Sequence, residues 1–402
     1  MKVLISGASI AGPVLAYWLS RHGFDVTVVE RSPALRKTGG HAVDLFRPAM
    51  EISERMGVLR EIEAAATGTT RLTIHRPGTS RPAEIDYIKL IGAMSDRHVE
   101  IMRDDLSEIY FRAGQSGVEY LFGDHITEIS PDGDVTFEHN RSRRFDVVVG
   151  ADGLHSGVRR LTFGEHVAER FLGGYLSVVS VPKSSARHNE MTGYYEPGRV
   201  AMVYTANHLD DARAVFIFRP DNPLDYDHRD IGRQQAQLRT AYAGAPDEVQ
   251  RWLDEIPRSP TFYFDAITQL EMATWSHGRV TLVGDAGYCP GPAVGGSTSL
   301  AVYGAYLLAA EMIKAGDDYR AAFAAYERAL QAPVQGSRKL ARVNARTIVP
   351  RSRWGVSTLV VAGQLISLLP SSLTKSLARL NDKGVRLYDT MPLPAWPASL
   401  TG

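Results

Sequence analysis

The order of apolar and polar positions sets its theme in the first thirty residues. Val3-Leu4-Ile5 is a short, wholly apolar run, Gly7-Ala8-Ser9-Ile10-Ala11-Gly12 is small and turn-like, and Ala16 and Leu19 fall at helical spacing. Asp25 to Val29 is a second short run, closed by Glu30. Runs this short read as buried strands, and the 3.6-residue period between them reads as a helix, so the pattern predicts a strand–turn–helix–strand unit.

Further along, Ala49 to Ala65 has helical character, and Arg71 to Ile91 reads as strand, with Leu72, Ile74, Ile85 and Ile88 among turn residues. Glu100 to Leu106 opens a helix with Asp104 or Asp105 at its positive end and Arg103 at its mouth. Strands are expected at 117–122, 126–129, 135–137 and 146–150. From 170 to 270 the period becomes two: Phe171–Ser180, Thr192–Tyr195, Val200–Thr205, Ala214–Phe218 and Thr261–Ile267 read as strands, with a helix over Ile231–Leu253. A last buried strand ends in Gly284-Asp285, and a helix follows over Leu300–Ile313. Arg338, Arg342 and Arg346 recur every fourth residue, as on a solvated helix face, and Pro350 precedes an apolar closing helix, Gly355–Leu369.

These elements predict an α/β protein: a Rossmann-like nucleotide-binding domain, a second domain on a mixed or antiparallel sheet, and C-terminal helices. The first domain takes residues 1–70, 95–168 and 270–345, the second 71–94 and 169–269, and the C-terminal segment 346–402.

Composition narrows the partners. The chain has 402 residues, 44% of them apolar, ample for a large core. Lys plus Arg and Asp plus Glu each number 45, so no global field favours nucleic acid or an anionic membrane. A single cysteine, Cys289, excludes a disulfide framework and a multi-cysteine metal cluster and points to a cytoplasmic setting. No apolar run reaches the ~20 residues that cross a bilayer, and no small-residue cleavage site follows the basic, apolar start as a secretory signal would require.

Candidate chemistry sits at the strand ends. A pyrophosphate needs the free N–H groups that open a helix, so Gly7 makes the turn and Gly12 brings helix and strand together. Glu30 stands 18 residues after Gly12 (30 − 12), where a carboxylate takes both hydroxyls of an adenosine ribose. Ser9 replaces the middle glycine of the usual motif. After Arg31 and Arg36, Gly39-Gly40 allows backbone to approach a flat ligand. Asp146 to Arg159 carries Asp152-Gly153 after a buried strand, where the aspartate caps the next helix or meets a ligand. Asp285 closes another strand, before Pro292 and Gly295-Gly296-Ser297-Thr298 at a helix start.

Together, in this order and at these intervals, the three motifs resemble the FAD-dependent aromatic hydroxylases, the single-component flavoprotein monooxygenases. The resemblance spans roughly Lys2 to Leu308 and, through Gly39-Gly40 to Leu45, is closest to the tetracycline-inactivating and polyketide-tailoring branch. It implies that Gly7, Ser9, Ile10, Ala11 and Gly12 take the FAD pyrophosphate, Glu30 the ribose, with Arg31 and Arg36 beside it, and Arg103 the flavin side. It implies cofactor contacts for Asp152 and Gly153, a ribityl contact for Asp285, and a loop over the ring from Pro292 through Gly295, Gly296, Ser297 and Thr298. Ser9, Gly287-Tyr288, Ser297 and Tyr303 depart from the residues common in the family.

The implied reaction uses NAD(P)H and O2 to hydroxylate a bulky aromatic or polycyclic small molecule through a flavin hydroperoxide, with the cofactor carrying the chemistry and no protein residue as catalyst. No Gly-x-Ser-x-Gly elbow, His-Glu-x-x-His pair or metal set is present. Met202 and Tyr204 share one strand face, as do Phe216 and Phe218, and are candidates to line the substrate pocket, although core packing explains them equally. The alternatives are a flavin-binding protein without hydroxylase activity and a flavin-dependent halogenase, whose Trp-x-Trp-x-Ile-Pro stretch is absent. A monomer or homodimer is expected.

Overall fold

The structure, a computed structural model, describes residues 1–35, 40–164, 167–225, 227, 229–292, 296–370 and 386–394. The expected opening unit forms as β1 (Lys2–Ser6), α1 (Ala11–Ser20) and β2 (Asp25–Glu30), with the strands parallel and Val3 opposite Val26. β3 (Ala42–Phe46) follows. The single helix expected over 49–65 is two, α2 (Arg47–Arg55) and α3 (Leu59–Ala64), because Gly57 turns the chain at φ +78°. β4 (Arg71–His75) and β5 (Ala83–Asp86) pair antiparallel. The strand expected to run to Ile91 stops at Asp86, whose carboxylate accepts the Lys89 amide at 3.0 Å and caps α4 (Tyr87–Gly92), sending Ile88 to solvent. Glu100 belongs to β6 (His98–Met102), which pairs with β3, so the next helix, α5 (Arg103–Gly114), begins at Arg103.

β7 (Val118–Phe122) extends the first sheet, and β8 (Ile126–Ile129), β9 (Asp134–Phe137) and β10 (Arg143–Arg144) form a small antiparallel one. After β11 (Val147–Gly150) and α6 (Gly157–Phe163) come β12 (Ala168–Pro182), β13 (Glu190–Glu196), β14 (Arg199–Tyr204) and β15 (Asp211–Phe218). The helix expected over 231–253 is split by Gly244, at φ +69°, and Pro246 into α7 (Ile231–Ala241) and α8 (Asp247–Asp254). Then follow β16 (Phe262–Glu271), β17 (Ser276–His277), β18 (Val280–Leu282), α9 (Asp285–Tyr288), α10 (Ser297–Ala315), α11 (Tyr319–Thr347) and α12 (Arg353–Leu368).

Two large sheets result. The six-stranded sheet has order β17-β18-β11-β1-β2-β7, parallel except at β17, and its buried faces explain why Val147-Val148-Val149 is a continuous apolar run. The seven-stranded sheet has order β16-β12-β15-β14-β13-β4-β5, antiparallel except where β13 meets β4. One of its faces packs Leu176, Val178 and Ile217 with Ala341 of α11 and Val360 of α12. The other packs Val179 and Phe216 with Leu238 and Trp252 of α7 and α8.

Arg338 and Arg342 do not form a solvated face. Arg342 donates to Gln269 Oε1 at 2.9 Å and Glu271 Oε1 at 2.8 Å, and burial pulls the Arg338 guanidinium below its ordinary range. Among the described residues, no helix is long and apolar enough to cross a membrane.

Candidate functional site

At the end of β1, Gly7 has φ +111°, and a Cβ there would stand 2.4 Å from the Ala151 carbonyl oxygen. A Cβ on Gly12 would stand 1.9 Å from the Gly7 carbonyl oxygen, so both positions exclude any side chain. The first turn of α1 holds no acid, and Ile10 offers no side-chain cap, which leaves the orphan amides at its positive end without a side-chain acceptor. Glu30 faces this turn: its carboxylate accepts the Ala8 amide and the Ser32 amide, one on each oxygen, both at 2.9 Å. A carboxylate has about four lone-pair positions, so acceptor capacity remains on both oxygens. The exposed Arg31 lines a cavity of about 440 Å³ beside it, with His125, Gly157, Arg160 and Arg229.

Arg103 starts α5, and its amide donates to the His41 carbonyl at 3.2 Å. Its guanidinium reaches Ser9 Oγ at 3.4 Å, and its charge acts on Asp285, Tyr263 and His41. Asp285 begins the one-turn α9, after Gly284 at φ +67°. Burial pushes its carboxyl above the ordinary aspartate range, against the pull of Arg103 and a hydrogen bond from Cys289. Burial, reinforced by Arg103, lowers His41 to about 4. Its ring lies 6.1 Å from that of Tyr263.

The second open helix end is that of α10. Gly296 precedes it in the left-handed region, no described side chain caps it, and its first turn is free of acids. Ser299 ties this helix to β3, accepting from the Phe46 amide at 2.9 Å and donating to the Asp44 carbonyl at 3.1 Å. A residue with no signal in the sequence stands here too. Tyr388, from a short 3-10 turn at Leu387–Thr390, stacks on Phe46 at 5.1 Å, hydrogen-bonds Ser337 at 3.0 Å and lies 2.6 Å from where a Gly296 Cβ would be. Ser297 and Thr298 open α10, and Pro292 is half-buried just before the loop. Arg36 and Gly295 lie outside the described residues.

Asp152 is engaged elsewhere. Its carboxylate accepts from the Ser156 hydroxyl at 2.5 Å and from the Gly157 and Val158 amides at 2.8 and 3.1 Å, so it closes the start of α6. Gly153, at φ +79°, turns the chain there. Arg159, buried, donates to the Ala286 carbonyl at 2.9 Å and thereby joins this stretch to α9.

The four aromatic and thioether candidates do not share a surface. Met202 pairs with Val215 and Tyr204 with Arg213, whereas Phe216 pairs with Ala201 and Phe218 with Arg199. Because facing residues share a side, Phe216 and Phe218 lie on the opposite side of the sheet, packed on Tyr242 of α7's C-terminal end. That removes them from any pocket formed with Met202 and Tyr204. Tyr204 turns toward β3, where its Oη accepts the Ala42 amide at 2.6 Å. Arg213 beside it is buried, pairs with Asp211 at 2.5 Å and has no described partner at Nε. A larger cavity, about 840 Å³, opens between Glu196, Arg219 and Leu224. Two of its arginines serve helix ends, Arg199 donating to the Ala241 carbonyl and Arg219 to that of Arg346, while Arg233 pairs with Asp225 and Arg351 donates to the Pro220 carbonyl. It lies apart from the glycine turn.

Residues 1–329 match the family model described as FAD binding domain. The chain belongs to this family, the FAD-dependent aromatic hydroxylases. A flavin-dependent monooxygenase of Legionella longbeachae is 35% identical over 343 residues, covering 84% of this chain and 87% of the relative. The crystal structure of tetracycline destructase Tet(51) superposes with a TM-score of 0.82 at 29% identity, covering 98% of this chain and 99% of that one. At 21% identity, Klebsiella pneumoniae HpxO complexed with FAD and uric acid shares the fold, with a TM-score of 0.72 over 96% of this chain and 97% of that one. The family makes this protein a flavin-dependent oxidoreductase, and the side-chain-free turn, the half-occupied carboxylate and the two uncapped helix ends fit FAD.

Proposed function

We propose that the protein is a monooxygenase that uses NAD(P)H and O2 to hydroxylate a bulky aromatic or polycyclic small molecule, a phenolic antibiotic or polyketide being the favoured class. The observation that carries this reading is convergence. The β1–α1 turn, Glu30, Arg103, Asp285 and the first turns of α10 come from five separate stretches and lie beside one another, Glu30 on the Ala8 amide, Arg103 on Ser9 and near Asp285, and Gly284 between Ala11 and Ala301. The likeness to tetracycline destructase Tet(51) supports the substrate class.

In this reading the amides of α1 receive the pyrophosphate, and the remaining acceptor positions of Glu30 receive the ribose hydroxyls. Arg31 flanks the adenine in its cavity. Asp285 would accept from the ribityl chain, and the amides of Ser297 and Thr298 would serve the flavin ring as preorganised donors that favour negative charge. When bound, FAD supplies two-electron reduction by NAD(P)H and transfer of one oxygen atom from O2. The chain's own task is to orient and to keep water out, served by His41, Tyr263 and Tyr388 around the ring and by Met202 and Tyr204 on the substrate side.

The test is turnover with a panel of polycyclic phenols under labelled oxygen gas. One labelled atom in the product and NAD(P)H consumption that rises with substrate are expected. Label arriving from water, or a holoprotein that oxidises no NAD(P)H with any of them, refutes the proposal.

A further inference from the structure

Helix α12 shows solvent an apolar stripe. Trp354 is 85% exposed, Val361 48%, Leu365 56% and Leu368 80%, at intervals that place all four on one seam of the helix. From Trp354 to Leu368 the sequence has no charged residue, and the exposed neighbours along the seam, Ser357, Thr358 and Ala362, are small. Ile88, 59% exposed, lies on α4, which packs beside α12. Eight large apolar side chains are exposed among the described residues, and five of them are these, so the patch is a concentration and not scatter. The opposite side of α12 is committed to the fold: Val356, Val360 and Gly363 are buried, and a Cβ on Gly363 would stand 2.5 Å from Ile85.

We propose that this stripe is the interface of a homodimer in which α12 of each copy packs antiparallel about a two-fold axis at Val361. Trp354 and Leu368 lie equally far along the chain on either side of Val361, so this register seats Trp354 against the partner's Leu368 and Leu365 against the partner's Ser357. Charge selects the direction. Arg351 and Arg353 are exposed at the N-terminal end of α12. Parallel packing brings these arginines together, whereas antiparallel packing sets them at the negative C-terminal end of the partner helix.

Area selects the occupant. The five side chains leave on the order of 500 Å² of apolar surface open, at the upper range for a lone monomer. With the polar rim this approaches the ~800 Å² per partner of a standard interface. A helix lying on lipid shows a wide apolar face flanked by basic residues along its length, and this seam is narrow, with arginines at one end only.

The test uses the full-length, FAD-loaded protein in light scattering and sedimentation. Twice the chain mass is expected for the unmodified protein and a single chain mass for V361E and L368E. Val361 sits on the axis and Cys289 is buried, so V361C should cross-link on mild oxidation much faster than an E63C control on α3. A single chain mass for the unmodified protein at all concentrations overturns the proposal, as does a dimer unaffected by V361E and L368E, or equal cross-linking of V361C and E63C. A monomer that sediments with phosphatidylglycerol vesicles overturns it in favour of lipid, and neither result bears on the monooxygenase reading.

Discussion

Replacing Glu30 by Ala separates a cofactor role from a role in the turn. The carboxylate already accepts the Ala8 and Ser32 amides at 2.9 Å, one on each oxygen. The ribose hydroxyls take the positions that remain. A hydrogen bond to a charged group is worth ~1.5–3 kcal/mol, and the half-buried setting of Glu30 argues for the lower value. Two lost bonds then amount to about 3 kcal/mol, on the order of a hundredfold in the FAD dissociation constant. The two amides lose their acceptor as well, and Ala8 is only 2% exposed, so the apoprotein should lose about 1–3 kcal/mol and a few degrees of melting temperature.

The assay titrates FAD into apoprotein by flavin fluorescence, alongside thermal melts without FAD. Glu30→Gln sharpens it, since a carboxamide turns a donor toward one of two amides that are themselves donors, and should recover less than half of the lost affinity. An apoprotein that melts a few degrees lower yet binds FAD within about threefold of the unmodified chain would refute the ribose assignment and leave Glu30 a turn residue.

Asp285→Ala should weaken FAD binding and, in the loaded fraction, divert NAD(P)H into hydrogen peroxide; an unchanged ratio of product to NAD(P)H would make it a turn residue. His41 takes its proton near 6.5 when unfolded but at about 4 in the fold, so the unfolded chain binds the extra proton between those values. Apoprotein stability should therefore fall as pH drops from about 6.5 to about 4, by up to about 3 kcal/mol, and denaturant titrations of His41→Gln should show a flatter profile. Phe216→Ala should cost about 3–5 kcal/mol of stability, measured by denaturation, while the folded fraction keeps the substrate affinity of the unmodified protein. Met202→Ala should reverse that pattern, with a small stability loss and weaker substrate binding.

The sequence made the glycine turn legible because backbone geometry leaves one residue type possible: Gly7 sits at φ +111°, and Gly12 touches a carbonyl where a Cβ would stand. The sidedness of the larger sheet was not legible. Period-two alternation groups Met202 with Tyr204 and Phe216 with Phe218, but only the β14–β15 register shows that the pairs face opposite ways. The spacing of Arg338 and Arg342 likewise gave a common face without its partners, which are Gln269 and Glu271 on β16. Asp152 offered two readings after its strand, and its carboxylate is taken by the Gly157 and Val158 amides. Tyr388 left no trace, because its contact with Gly296 crosses 92 residues (388 − 296) and belongs to no period.

Arg103 shows why the electrostatics of the site had to come from the fold. A cation at the first position of a helix opposes the helix dipole, at a cost of about 0.3–1 kcal/mol. The structure supplies the compensation from 182 residues away in sequence (285 − 103): Asp285, whose carboxyl burial alone would drive further toward neutrality. The same guanidinium helps to hold His41 neutral and meets Ser9 Oγ, where the usual motif has a glycine and no hydroxyl to offer. One cation thus pulls an acid toward its charged form, against burial, and a histidine toward its neutral form, at the junction of the two sheets. The cation itself favours an electron-rich, anionic ring edge, and the imidazole, held neutral, brings no second charge to it.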